Sequence, residues 1–292
     1  CATRIEPPLH PENGEKIIKD FGMWPEKDVE EGWLEDDFDK YVEEAKVEFN
    51  KKITNGCFAP WMMYKDDFIS IGGHDIRFAS AREDSDVFNR LVLGGFELIQ
   101  SWQSFVYHLT ARGGQFQHGK LTKDHSQKSE EWQKLMNNST REFFRKWGTS
   151  VQHDNLMMPI ITPKYDIGFV VKNCSYEMLY ELEPWCSSFY GEFPKHLIEM
   201  FTRSEQPNTM TNLSEKIHSI NYGADNDIVV KFDGSKLNNQ NFQLITQFSQ
   251  IFANNQLEIG EFELDIFKIQ INKLKTYERE LIKNENTLFN SN

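Results

Sequence analysis

No run of about 18 apolar residues occurs in the sequence, so it offers no candidate transmembrane helix. Basic residues are too few for nucleic acid to be the main partner. The 32 Lys and Arg face 45 Asp and Glu, a net charge of -13, whereas phosphate backbones require a basic surface. Cysteine is scarce as well. The four present, Cys1, Cys57, Cys174 and Cys186, show neither Cys-x-x-Cys spacing nor the density of a disulfide framework. They read as buried free thiols of a reducing, cytoplasmic compartment, with no zinc site. No secretory leader and no internal repeat is visible, and the start at Cys1 rather than Met reads as a truncation. What the chain does have is bulk: 23 Phe and 7 Trp in 292 residues supply cores for two modest domains or one large one.

The chain is organised around residues 58–119. From Asp84 the apolar side chains fall at Val87, Phe88, Leu91 and Val92, one stripe on a helix that Gly94 and Gly95 close. Glu83, Asp84 and Asp86 sit in its first turn, where the free N–H groups and the helix dipole favour anions. Upstream, Lys65 to Ile71 reads as a short helix closed by Gly72 and Gly73. Downstream, Phe105 to Leu109 spells FVYHL, a buried strand with one polar side chain, His108, before a glycine-bearing loop holding His118, Lys120, Lys123 and His125.

The run EDSDVFNRL, preceded by GGHD and followed by VYH, resembles the Glu-Asp motif region of inverting GT-A glycosyltransferases, and the galactosyltransferase-like C-terminal segment in particular. The resemblance is tightest over residues 67–108. It implies that Asp84 is the general base that takes the acceptor hydroxyl proton, that Glu83 orients the acceptor, and that His108 is a ligand of Mn²⁺ or Mg²⁺. Asp84 and His108 would then serve the two ends of one glycosyl transfer from a nucleotide-sugar donor, a UDP-sugar, to a glycan or other hydroxyl acceptor. Trp61 and Trp102 are the nearest aromatic platforms for a sugar ring, and Gly73, His74, Asp75 and Arg90 complete the expected substrate-binding set. One departure stands out: the two glycines that directly precede the Glu-Asp pair in the galactosyltransferases are Ala81 and Arg82 here. The chemistry agrees. A positioned carboxylate accelerates attack by an alcohol about 10²–10⁴-fold, and a divalent ion neutralises a leaving diphosphate.

The remaining chain divides by texture. Residues 1–33, broken by proline and glycine, read as loop, with Trp24 and Trp33 pinning it or facing a sugar. Leu34 to Asn50 is an acidic amphipathic helix, and 126–148 forms a second long helix followed by a proline-bearing linker. Beyond Tyr165, YDIGFVV and DIVVKFD read as strands, SYEMLYELEPWCSSFYG and LNNQNFQLITQFSQIFANN as helices, and EIGEFELDIFKIQINK alternates again. The expected organisation is an acceptor-side GT-A half at 1–125, a helix and linker at 126–164, and a C-terminal α+β sandwich at 165–292, its helices on one sheet face. The overall class is α/β to α+β. No glycine-rich strand-turn-helix and no Asp-x-Asp after an apolar strand precedes residue 58; Asp37 and Asp39 lie inside the acidic helix. The nucleotide-binding half is therefore expected upstream, and this fragment alone is expected to be weak or inactive. The alternative is a binding module that keeps the glycosyltransferase shape without turnover.

Overall fold

The structure, a computed structural model, describes residues 1–8, 13–22, 34–79, 81–108, 130–254 and 257–283. The fold is mixed α/β with two mixed sheets. Contacts group the chain into two compact units, one of 1–71, 87–134 and 152–160, the other of 72–86, 135–151 and 161–292. These groupings cut across linear boundaries at 125 and 164, because segments 72–86 and 135–151 cluster with the C-terminal residues.

The first unit is built on a sheet of order β2-β1-β4-β3: β1 (Ala2–Glu6), β2 (Ile17–Ile18), β3 (Ile53–Asn55) and β4 (Ile99–Tyr107). Strands β2 and β4 run parallel to β1, and β3 runs antiparallel to β4. Residues 1–33 were expected to be loop, and β1 and β2 correct that. In β1 the buried positions include Thr3 and Glu6, so the polar text hides a central strand. Helix α1 (Glu35–Glu48) lays Phe38, Tyr41 and Val42 against Ile5, Phe21 and Tyr107. Helix α2 (Lys65–Ser70) follows, and α3 (Glu83–Leu93) ends before Gly94, whose N–H reaches Arg90 O at 2.9 Å. The strand expected at 105–109 begins earlier, at Ile99, and leaves His108 just beyond its end.

Helix α4 (Glu130–Trp147) leads to the larger core of the second unit. Its sheet has the order β7-β6-β5-β8-β10-β9. The strands are β5 (Ile167–Lys172), β6 (Ser188–Gly191), β7 (Ile217–Ser219), β8 (Ile228–Asp233), β9 (Gly260–Leu264) and β10 (Phe267–Ile271). The first four are mutually parallel and the last two form an antiparallel hairpin on β8. Alternate strand residues such as Phe169, Val230 and Ile269 enter one apolar cluster with residues of α5 (Tyr176–Leu182), α6 (Lys195–Glu205), α7 (Leu213–Lys216) and α8 (Asn239–Asn254). The stretch 175–191 was expected to be one helix. It is α5, a 3₁₀ turn at Glu183–Trp185 and β6, because Pro184 removes a backbone donor where the helix would continue. All four cysteines are free thiols; Cys174 and Cys186 are buried, and burial pushes both up to about 12, while Cys1 and Cys57 are partly exposed.

Buried charge stabilises the second unit as well. Glu183, fully buried, receives Arg145 at 2.6 Å, Lys216 at 2.7 Å and Arg141 at 3.4 Å. Arg145 in turn holds Glu142 at 2.6 Å. The carboxylate is thus matched by cations rather than stranded, the condition under which a buried charge is tolerated.

Candidate functional site

The carboxylates of the Glu-Asp pair belong to the second unit. Directly before them, Ala81 has φ +66° and Arg82 φ +70°. Two successive non-glycine residues in the left-handed region are costly, at roughly 1–2 kcal/mol each, and such conformations persist where surrounding structure enforces them. That structure is visible. Arg82 Nε donates to Thr140 Oγ1 on α4 at 3.3 Å, and Arg82 O accepts the first helical bond, from Asp86 N at 3.0 Å. Lys146 of α4 then reaches Asp86 at 2.6 Å and Asp75 at 2.8 Å, and Trp147 Nε1 donates to Asp86 Oδ1 at 3.0 Å. Asp75 also pairs with Arg77 at 2.8 Å; burial alone would raise its pKa, but Arg77 and Lys146 hold it below the usual range. The three acidic residues therefore divide. Asp86 is a fully buried anchor, while Asp84 is exposed.

Asp84 Oδ1 accepts Ser85 N at 2.6 Å and Ser85 Oγ at 3.3 Å, which orients the carboxylate by one oxygen. Glu83 Oε2 is buried and has no hydrogen-bond partner among the described residues. A buried carboxylate oxygen without a donor is costly, and the hydroxyl of a ligand would satisfy it.

His108 belongs to the first unit, so the two residues expected to serve one transfer fall in different compact units. Its backbone N–H donates to Ile5 O at 2.9 Å, which sets it at the carboxyl ends of the parallel strands β1 and β4. Its ring Nδ1 lies 2.8 Å from Glu6 Oε1. Glu6, 1% exposed, also receives Arg4 at 2.9 Å and Lys16 at 2.5 Å. Burial would raise the Glu6 pKa, yet Lys16, Arg4 and His108 hold it down at about 2.

A carboxylate on Nδ1 favours the tautomer with the lone pair on Nε2, the usual arrangement behind a metal-bound histidine. Among the described residues no three His, Cys, Asp or Glu side chains converge as a metal cage. His118, His125, Lys120 and Lys123, and likewise Trp24 and Trp33, lie outside the described residues.

Several expected substrate contacts are taken up by packing. Arg90 is fully buried and donates to Ile71 O, and Asp75 is the buried partner of Arg77 and Lys146. Trp102, 5% exposed, donates Nε1 to Thr54 Oγ1 at 2.9 Å. Its ring is covered by Lys52 Nζ at 3.4 Å and by Phe49 at 4.8 Å, so it offers no sugar platform. Trp61 is half-buried, packs on Phe68 and Phe88, and lines a cavity of about 100 Å³ with Met63 and Leu91. Gly73 is buried with φ +65°, and His74 beside it is exposed. Glu6 escaped sequence reasoning because a Glu closing a five-residue polar-looking segment gives no periodic signal.

The chain gives no match to family models, to curated proteins or to solved structures.

Proposed function

We propose that this chain carries the acceptor-side half of an inverting, divalent-metal-dependent GT-A glycosyltransferase. It would move a sugar from a nucleotide-sugar donor, a UDP-sugar, to the hydroxyl of a glycan or other acceptor. The observation that carries the reading is the left-handed backbone at Ala81 and Arg82. Those are the positions at which the resembling sequences place two glycines, the residues that adopt this conformation without penalty. A left-handed backbone at these two positions is compatible with glycines there, and its strain falls beside the proposed base.

In this reading Asp84 is the base. Its Oδ1 is fixed by Ser85, and Oδ2 accepts the hydroxyl proton as the new glycosidic bond forms. Glu83, next to it in the first turn of α3, orients the acceptor. Asp86, Asp75 and Lys146 keep the turn rigid, the requirement for a positioned base. The resemblance assigns His108 to a divalent ion, which would neutralise the charge on a departing diphosphate. Trp61 and His74 remain as substrate-side contacts.

The test is sugar transfer by the protein expressed from its complete coding sequence, with Mn²⁺ and a panel of UDP-sugars and hydroxyl acceptors. A product of inverted anomeric configuration, lost on chelation, is expected. Donor hydrolysis or transfer with retained configuration would sink the proposal, as would the lack of any product across the panel.

A further inference from the structure

The direction in which strands are added reverses within the sheet of the second unit. From β5 the chain passes through α5 to β6 and on to β7 on one side, then crosses back to place β8 on the other side of β5. The helices that follow the carboxyl ends of β5 and β8, α5 and α8, therefore part from each other. Open α/β sheets hold their ligands in the crevice that such a reversal leaves. Here the crevice is a cavity of about 390 Å³, within the range of small-molecule sites. Glu177, Met178 and Glu181 of α5 form one wall, and Leu237 with Asn239 and Phe242 of α8 forms the other.

Both walls are held in place. Lys172 and Asp233 end β5 and β8 as a register pair, and Asn173, left-handed at φ +49°, donates Nδ2 to Asp233 Oδ1 at 2.9 Å. Ser235 gives the same oxygen its N–H at 2.9 Å and its hydroxyl at 2.7 Å. A Cβ on Gly234 would lie 2.8 Å from Met178 Sδ and 2.9 Å from Asn173 O, so the two loops approach as closely as only glycine permits. Opposite, Asn238 Oδ1 accepts Gln240 N at 2.9 Å and Asn241 N at 3.1 Å and so fixes the start of α8.

The lining decides the class of ligand. Met178, Leu237 and Phe242 offer an apolar surface, and the Phe242 ring also attracts cations. Glu177 and Glu181, one turn apart on the same face of α5, are like charges that by themselves destabilise a helix. Hydrogen bonds from its own N–H and from Ser175 hold the Glu177 carboxyl below its ordinary pKa, so it is ionised at neutral pH. Arg141, a cation that does reach α5, is bonded instead to Tyr180 O, Glu183 and Glu205. We infer that the crevice between α5 and α8 binds a small organic cation, a primary amine on an aromatic or hydrocarbon body. Its ammonium group sits at Glu177 and Glu181, and its body packs on Met178, Leu237 and Phe242. The inference is independent of the glycosyl-transfer reading, which places no group here.

The probes are phenethylamine and hexylamine, titrated into the full chain at about pH 7, where an alkylamine is charged. Hydrocinnamate and heptanoate serve as bodies of similar shape and opposite charge. Binding is read from the methyl signals of Met178 and Leu237 in ¹³C NMR spectra. At least one amine is expected to shift both signals saturably, and the carboxylates to leave them unmoved. Joint replacement Glu177→Gln and Glu181→Gln, at exposed positions, should weaken the amine about 5-fold or more. Asn239→Trp, which puts bulk into the opposite wall, should abolish the shifts. Failure of both amines to shift these signals overturns the inference, as does equal binding of the carboxylates, and neither comparison needs a variant. An amine affinity indifferent to the paired Gln substitutions overturns it as well.

Discussion

Replacing Glu183 by Gln should be among the most damaging single changes in the second unit, and its cost should depend on pH in a defined direction. The carboxylate is fully buried and meets Arg145 at 2.6 Å, Lys216 at 2.7 Å and Arg141 at 3.4 Å. Removing one partner of such a cluster leaves buried cations uncompensated and typically costs about 3–5 kcal/mol. The titration gives a second, independent magnitude. Burial alone would raise the Glu183 pKa, but Lys216 and Arg145 bring it from the ordinary 4.5 down to about 2. At about 1.4 kcal/mol for each pH unit of separation, that gap is worth roughly 3 kcal/mol. The folded pKa is depressed, so the unfolded chain binds the proton first as pH falls. The contribution is complete above about pH 4.5 and disappears as pH drops toward about 2. Urea unfolding of wild type and Glu183→Gln, run from neutral to acid pH, measures both. The gap should be about 3 kcal/mol near neutrality and should close as the pH approaches 2. A gap under about 1 kcal/mol at pH 7, or one that persists unchanged in acid, would refute the reasoning.

Ala81→Gly should leave stability unchanged or raise it by up to about 1 kcal/mol. Relief of left-handed strain worth roughly 1–2 kcal/mol outweighs the added freedom of the unfolded chain at about 0.4–1 kcal/mol; a clear loss in a thermal melt would mean that residue 81 is not left-handed. Asp86→Asn should cost about 3 kcal/mol because it leaves buried Lys146 with Asp75 alone, whereas exposed Asp84→Asn should stay within about 0.5 kcal/mol. Equal costs in denaturant titrations would contradict the division between anchor and base. Gly168→Ala should destabilise by about 1–3 kcal/mol, since a Cβ there would lie 2.2 Å from Oδ1 of buried Asn226, itself tied to Asp166 at 2.7 Å. A neutral result in the same assay would show that Asn226 yields.

What could be read from the sequence follows from which forces write themselves into a periodic pattern. Helices α1, α3 and α8 were legible because one face of each is apolar at helical spacing, and α3 also carries its own stop in Gly94. Strands β5 and β8 were legible as short continuous apolar runs. Strand β1 was not, since Thr3, Arg4 and Glu6 are polar, and the two buried ones find partners outside the strand, Thr3 in Ser101 O of β4 and Glu6 in Lys16 and His108. Strand β6 was masked by the helical text of α5 running into Pro184. Helix α6 did carry a signal, Leu197, Ile198 and Phe201 after Pro194, that marks one apolar face. At the site, the Glu-Asp turn was visible as a local acidic cluster, but the fate of Arg90, Asp75 and Trp102 was not. Each has an exposed-looking chemistry, and each is consumed by a partner distant in sequence or by a carbonyl.

The catalytic assignment itself is tested most directly by the turnover of Asp84→Asn, measured with saturating donor and acceptor on the protein from its complete coding sequence. With the fold intact, the account predicts a fall in kcat of about 10²–10⁴-fold with little change in stability. Transfer at the wild-type rate by a properly folded Asp84→Asn protein would contradict it.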